Sequence, residues 1–392
     1  MIYLDNAATT PLHPRALEAM MPYLTGRFGN PSATYALARQ ASRAVDDARK
    51  TVASVLNARP SDIVFTSGGT ESINTALKGV AFAQRKARAG NHVVTTTIEH
   101  HAVHHTCNYL EQFGFEVTYV PVDAYGCVDP DDIARAINER TVLVSVMLAN
   151  NEVGTIEPVG DIAAAVGQRG RALNKRIPFH TDAVQAPGAL ELDVDRLGVD
   201  LLSLSGHKFG GPKGTGVLYL RRGTPFVAQI AGGGQERQRR AGTENVAGIV
   251  GQATALEIAE SEREAHSITV AELRDRLIEA LLDSVPDSRL NGHPTERLPN
   301  NVNISFRGTR GDELVLALDK DGVAASAGAA CGSSTWEPSH VLLAMGRSMP
   351  EAVGALRLTL SSETTGAEIE TVASLLPGVV ASLRGAVAAR AG

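Results

Sequence analysis

The sequence predicts an α/β protein: a mostly parallel sheet covered by helices on both faces, followed by a smaller α+β unit. Three observations lead there. Apolar strand-like runs alternate with helical stretches between residues 62 and 205. The chemically unusual residues fall just after the strand-like runs, where ligands sit in such sheets. Near residue 245 the alternation gives way to one long helical stretch.

Taken in order, the first residues read as a short polar opening, and 36–56 carries helical apolar spacing in Ala41, Val45, Ala48, Val52 and Val55. Residues 62–66, 92–97, 116–121, 141–148, 177–181 and 201–205 read as strands. Helices are expected at 71–88, 101–113, 131–137 and 160–169. Beyond the long helix, expected from 245 towards 282, short strands at 301–306 and 356–360 mix with helices at 312–318 and 367–387. This organisation predicts a large domain over 15–255 and a small domain made of 1–14 and 256–392, with the boundary inside a continuous helix.

The 392 residues, 43% hydrophobic and 20% charged, suit a globular chain with a sizeable core. A net charge of −6 without a basic block argues against nucleic-acid binding. The opening Met1-Ile2-Tyr3-Leu4-Asp5-Asn6 lacks a signal-peptide pattern, and no apolar run is expected to approach membrane-spanning length. Three scattered cysteines, Cys107, Cys127 and Cys331, predict a reducing, cytoplasmic setting with no disulfide framework.

Lys208 follows the apolar run 201–205 in a Gly-rich turn. A lysine among small residues at a strand end is either a surface lysine or a carbonyl-capturing amine of the kind pyridoxal phosphate uses. Ser67-Gly68-Gly69-Thr70 joins a strand to a helix and is either an anion cradle or an ordinary cap with Thr70 leading the helix. Asp182 ends an apolar strand, where a carboxylate needs a cation such as a protonated ring nitrogen, or caps a helix. The pairs His100/His104 and His101/His105 have metal-ligand spacing, but no supporting Cys pair or zinc motif accompanies them, and no metal is expected. His100, at a strand end, could stack on a cofactor ring and move protons near neutral pH.

Asn151 could bond a ring hydroxyl or simply occupy a turn. Thr243 is expected at a helix start, as a phosphate ligand or an N-cap. Arg357 interrupts an apolar strand, which calls for a substrate carboxylate or a structural salt bridge. Cys331 stands among Ala, Gly and Ser, as on a flexible, reachable loop where a thiolate can attack. Cys107 and Cys127 read as structural.

The ordered set Leu4-Asp5-Asn6-Ala7-Ala8-Thr9-Thr10-Pro11, Gly29-Asn30-Pro31-Ser32, Thr66-Ser67-Gly68-Gly69-Thr70-Glu71-Ser72, Glu99-His100, Asn150-Asn151-Glu152-Val153-Gly154, His180-Thr181-Asp182-Ala183-Val184-Gln185, Ser205-Gly206-His207-Lys208, Gly232-Gly233-Gly234-Gln235-Glu236-Arg237, Gly242-Thr243 and Ala330-Cys331 resembles the cysteine desulfurases of the class V aminotransferase group. The match spans nearly the whole chain. The resemblance implies an aspartate-aminotransferase-like fold of type I, pyridoxal 5'-phosphate as cofactor, a homodimer, and conversion of L-cysteine to L-alanine. Sulfur would pass to a protein acceptor, an iron–sulfur scaffold or a thiolation protein.

By the same resemblance Lys208 is the Schiff-base lysine, His100 stacks on the ring and Asp182 pairs with its nitrogen. Gln185 and Asn151 bond near the ring hydroxyl or the substrate. Gly69, Thr70, Ser205 and His207 hold the phosphate, with Thr243 reaching the phosphate of the other subunit. Arg357 binds the substrate carboxylate and Cys331 takes the sulfur as a persulfide. The sequence departs from the pattern at Tyr35, where histidine is usual, at Ser361-Ser362-Glu363-Thr364-Thr365, and at Ala327 and Ala329, where serine is common. The rival readings are a selenocysteine lyase or another class V enzyme, and a non-catalytic sulfur-assembly subunit.

Overall fold

The computed structural model describes residues 1–327 and 338–391, the last five by backbone alone. The chain begins with β1 (Ile2–Tyr3), α1 (Pro14–Leu24) and α2 (Ala36–Val55). There follow β2 (Ile63–Thr66), α3 (Gly69–Lys86), β3 (His92–Thr96), α4 (His101–Gln112), β4 (Glu116–Val120), α5 (Pro130–Ala136), β5 (Thr141–Ser145), α6 (Val159–Ala172), β6 (Phe179–Asp182), β7 (Leu201–Ser205) and β8 (Gly216–Leu220). These strands form one sheet in the order β2-β8-β7-β6-β5-β3-β4. Every neighbouring pair is parallel except the two that involve β8.

β8 is absent from the sequence reading. The Gly-rich turn after β7 returns the chain at once, and so short a link can only make an antiparallel neighbour. Strands β2, β3, β5, β6, β7 and β8 are buried along their whole length, as expected of a sheet covered on both faces. One face packs through Val94, Val144, Phe179, Leu202 and Leu204, the other through Val64, Val93, Leu143, Leu201 and Leu218. The run 141–148 is shorter as a strand than its apolar length suggests. Its continuation still pairs, Val146 and Leu148 N–H donating to His180 and Asp182 carbonyls.

The opening segment is also less featureless than expected. Pro14 starts α1, and His13 caps it by accepting the Arg15 N–H. After the helical turn α7 (Gln235–Gln238) comes α8 (Val246–Ser284). Thr243 does not start this helix; Asn245 caps it, its side chain accepting the Gly248 N–H. The elements that follow are β9 (Ser288–Leu290), β10 (Asn301–Phe306), α9 (Gly311–Lys320), β11 (Val323–Ala324), α10 (His340–Ala344), α11 (Met349–Val353), β12 (Ala355–Thr359) and α12 (Gly366–Ala391). β12, β10 and β9 make an antiparallel sheet, while β1 pairs with β11 in parallel.

A separate hydrophobic core forms here from Leu4, Val302, Ile304, Leu356, Leu358 and their neighbours. Helix α8 serves both cores: Val246, Ile249 and Leu256 pack against the large sheet, and Val270, Leu277 and Leu281 against the smaller one. One expectation needs correction. The segment Gly366–Ala386 of α12 is long and apolar enough, by length and composition, to cross a membrane. Its Ile369, Val372, Leu376 and Val380 are buried in the second core, while only 22% of the apolar window is buried.

Candidate active site

The carboxyl ends of β2, β3, β5, β6 and β7 open onto a cavity of about 1070 Å³, closed on its other side by the N-terminal segment, Ala327 and Arg357. Lys208 enters it from a turn that only glycine permits. A Cβ on Gly206 would lie 2.3 Å from Thr215 Oγ1, so the chain bends into the 3-10 turn Gly206–Lys208 just there. Lys208 Nζ donates to the carbonyls of Ala7 at 2.5 Å and Ala8 at 2.9 Å. Burial, reinforced by the positive charge of Arg357, lowers its pKa to about 8 against the pull of Asp182 and Asp5.

Asp182, at the end of β6, accepts the Val184 N–H at 3.0 Å. Burial pushes its carboxyl up to about 6, although that bond and Lys208 oppose the rise. His100 caps α4, its Nδ1 accepting the Ala102 N–H at 3.0 Å. In the neutral ring the proton therefore sits on Nε2. Burial and the charge of Lys208 lower the His100 pKa to about 4, so this imidazole is neutral at pH 7.

Gly69, Thr70, Ser205 and His207 all line the cavity. Gly68, at φ 152°, rather than Thr70, caps α3, so Thr70 lies inside the first turn with its side chain exposed. A Cβ on Gly69 would sit 2.9 Å from Val184 Cγ2 and 3.3 Å from Ser205 Cβ, so the close approach of these turns requires glycine. His207 contacts Thr9 Oγ1 at 3.2 Å, and burial, with Lys208 beside it, lowers its pKa to about 4. Gln185 Nε2 donates to the Ala7 carbonyl at 3.1 Å, and Asn151 lines the cavity beside it. Arg357 donates through Nη1 to the Asn151 carbonyl at 3.0 Å and through Nη2 to Asp5 at 2.8 Å. Its buried Nε has no acceptor among the described residues.

Two carboxyls that the sequence reading passed over stand beside these groups. Glu99 accepts from Thr96 Oγ1 and the Met147 N–H, both at 2.9 Å, and burial holds it well above the usual carboxylate range. Glu152 lines the cavity, accepts from Ser339 Oγ at 2.5 Å and is raised by burial to about 7. Both are adjacent in sequence to residues singled out above, and an acid in a strand-terminal turn was the available signal.

Thr243 is exposed and is not among the residues lining this cavity. Cys331 lies outside the described residues; Ala327 and His340 on either side both line the cavity. His340 packs on His101 and His104, ring centroids 4.8 Å and 5.1 Å apart, and His101 on His105 at 5.3 Å. Among the described residues no three His, Cys, Asp or Glu side chains gather to hold a metal. Cys107 is buried, with its thiol pushed far up by burial, and burial takes Cys127 up to about 12.

The model of the aminotransferase class-V family matches residues 2–372. The chain belongs to the class-V aminotransferase family. A cysteine desulfurase IscS of Methanosarcina thermophila is 51% identical over 383 residues, 98% of this chain and 93% of that protein. One from Dictyoglomus turgidum is 47% identical over 383 residues, 98% of this chain and 95% of its own length. Among solved structures, a NifS-like protein superposes with a TM-score of 0.90 at 38% identity, covering 97% of this chain and 100% of that one. SspA in complex with cysteine gives 0.80 at 36% identity, covering 93% and 100%.

Class-V aminotransferases and cysteine desulfurases are pyridoxal-phosphate-dependent. The residues present fit that group. A class-V site needs a reachable amine, which a partly deprotonated Lys208 provides. It needs a carboxylate for the ring nitrogen, and Asp182, raised by burial, would be stabilised in its ionised form by a buried cation. It also needs donors for an anion, and the amino end of α3 opens on the cavity.

Proposed function

We propose that this chain is a pyridoxal-phosphate-dependent cysteine desulfurase that converts L-cysteine to L-alanine and takes the sulfur onto Cys331 as a persulfide. The observation that carries this reading is the meeting of Lys208, Asp182 and Arg357 in one cavity, in a chain 51% identical to a cysteine desulfurase. When bound, the cofactor supplies a carbonyl carbon for the substrate amine and a ring that takes up the Cα electron pair.

The chain's own residues do the rest. Gly69, Thr70, Ser205 and His207 would hold the phosphate, and Asp182 the ring nitrogen. His100 would lie on the ring and donate from Nε2, while Gln185 and Asn151 would bond the ring hydroxyl or the substrate. Arg357, which lines the cavity, would orient the substrate through its carboxylate. Lys208 Nζ, half-deprotonated near pH 8, removes the proton from the substrate Cα. The Cys331 thiolate attacks the substrate sulfur, an S–S bond forming as the C–S bond breaks. Overall a C–S bond and the Cys331 S–H bond are exchanged for an S–S bond and a C–H bond on alanine. No external oxidant or reductant is needed.

The persulfide then passes to a protein acceptor, an iron–sulfur scaffold or a thiolation protein, as the IscS names of the relatives suggest. The exposure of Thr243, away from its own cavity, supports a homodimer in which it serves the partner's phosphate. The scattered cysteines suit a cytoplasmic enzyme.

The test compares the wild type with Cys331→Ser. Wild type should release alanine from cysteine and carry protein-bound persulfide in equal amounts on first turnover. The variant should bind cofactor and cysteine with unchanged spectra and lose both products, while Cys107→Ser and Cys127→Ser stay active. Near-wild-type alanine release by Cys331→Ser would sink the sulfur-transfer role. A cofactor-loaded wild type with no turnover would point to the non-catalytic reading.

A further inference from the structure

The turn that would hold the cofactor phosphate already contains a carboxylate. Glu71 stands in the first turn of α3 and lines the cavity. Its Oε2 accepts the Ser67 N–H at 3.0 Å and also the Ser67 hydroxyl. Donors and helix-end potential that would attract an anion are thus partly taken by the chain's own negative charge. Burial raises the Glu71 pKa, but Arg240 and Ser67 outweigh it and bring the group below the usual value, so Glu71 is ionised. A dianion placed against this turn meets a like charge in a half-buried site, where screening is weak.

Arg240 answers that charge. Its Nε donates to Glu71 Oε1 at 2.9 Å and its Nη2 to Oε2 at 3.2 Å, both side chains being mostly covered. Arg240 comes from the loop between α7 and α8, which is firmly placed. In α7, Glu236, Arg237 and Gln238 all take left-handed backbone angles, φ 47°, 55° and 65°. Such a run is costly for residues with a Cβ and persists only where the surroundings hold it. The Glu236 carboxylate supplies the hold, accepting two bonds from Arg49 at 2.7 Å and 2.9 Å and one from the Phe65 N–H at 3.0 Å. Phe65 lies in β2, the strand whose end leads into Ser67. The loop is therefore tied to the base of the cradle at Glu236 and to its rim at Arg240.

We propose that Arg240 is a positioning residue for the cofactor phosphate: by neutralising Glu71 it lets the turn at 67–72 accept a dianion. The role rests on the cofactor reading above. It predicts a specific effect on the phosphate rather than on the ring.

The experiment uses the full-length protein freed of bound cofactor and measures equilibrium binding of pyridoxal phosphate and of pyridoxal, which lacks only the phosphate. Arg240→Gln should weaken pyridoxal phosphate binding by about tenfold or more, because one charge of a mostly buried pair is left uncompensated. Pyridoxal binding should change by less than about twofold. Adding Glu71→Gln to Arg240→Gln should restore the phosphate preference, and Arg240→Lys, which keeps the charge, should retain most of it. Equal weakening of both ligands by Arg240→Gln, or no rescue by the double variant, would reduce Arg240 to a loop anchor and overturn the proposal. A wild type that binds the two ligands equally would instead overturn the phosphate cradle itself, and Arg240 with it.

Discussion

Arg357 lines the cavity while its Nη2 donates to the Asp5 carboxylate at 2.8 Å. The alternatives of substrate clamp and structural salt bridge therefore do not exclude each other. Asp5 and the Asn151 carbonyl fix the guanidinium plane, and the side chain still lines the cavity in which a substrate carboxylate would sit. Arg357→Ala should raise KM for cysteine about 10–100-fold, the equivalent of about 1.5–3 kcal/mol for a charge-assisted contact. Asp5→Asn keeps the charge of Arg357 and should raise KM less. An unchanged KM in Arg357→Ala, with a lowered melting temperature, would leave only the tie to Asp5.

Lys208→Ala should abolish turnover and the absorbance of lysine-bound cofactor. A sharper test uses pH. Burial and Arg357 lower the amine from its usual 10.5 to about 8, so the neutral, nucleophilic form grows as pH rises through 8. The rate at which the cofactor-free protein captures pyridoxal phosphate should rise with a midpoint near 8. A midpoint at the pKa of an ordinary lysine would show that the cavity does not desolvate this amine.

Glu157 provides a stability test away from the cavity. Its Oε2 accepts the Val128 N–H at 2.9 Å and its buried Oε1 has no partner among the described residues. Burial raises its pKa to about 8, against the Val128 bond, from an ordinary 4.5. Between those values the folded chain binds more protons than the unfolded one, so this group's contribution is full below about 4.5 and is lost as pH rises through 8. Glu157→Gln escapes that loss. Its melting temperature relative to wild type should become steadily more favourable from pH 5 to pH 9, and a difference independent of pH would refute the assignment.

The buried pair of Arg49 and Glu236 should behave asymmetrically. Arg49→Ala leaves the Glu236 carboxylate uncompensated and should cost about 3–5 kcal/mol in urea unfolding. Arg49→Ala combined with Glu236→Gln should cost less, because the stranded charge is gone. Equal losses in the two variants would mean that the pair contributes packing rather than charge.

Lys208, Asp182 and His100 were legible in the sequence because each ends or follows an apolar run, and a strand end locates a residue along one axis of the sheet, whereas Ser205 was singled out only by the family resemblance. The partners that complete the site lie on no such axis. Asp5 and Arg357 are 352 residues apart, and β1, which carries the opening segment to β11, has only two residues and hence no period to read. Arg240 and Glu71 were invisible for another reason: each looks like an ordinary loop or helix charge until the loop is folded against the turn. β8 was lost in the glycine-rich stretch before it. The tendency of His100 to titrate could not be judged, because burial of its ring depends on elements distant in the chain.

Part of the hold on the opening segment comes from partners that are made last. Leu4 N–H donates to the Ala324 carbonyl, Asn6 Nδ2 to the Thr359 carbonyl and the Ala7 N–H to Thr359 Oγ1. Ala7 and Ala8 in turn supply the carbonyls that grip Lys208. On the ribosome the large sheet, complete by Leu220, emerges long before β12 exists to dock the first residues. The wall around Lys208 is therefore completed only when synthesis is nearly finished. A product truncated before Thr359 keeps its lysine, with the bonds from Gln185 to Ala7 and from Thr10 to His207, but lacks the ties from Thr359 to Asn6 and Ala7.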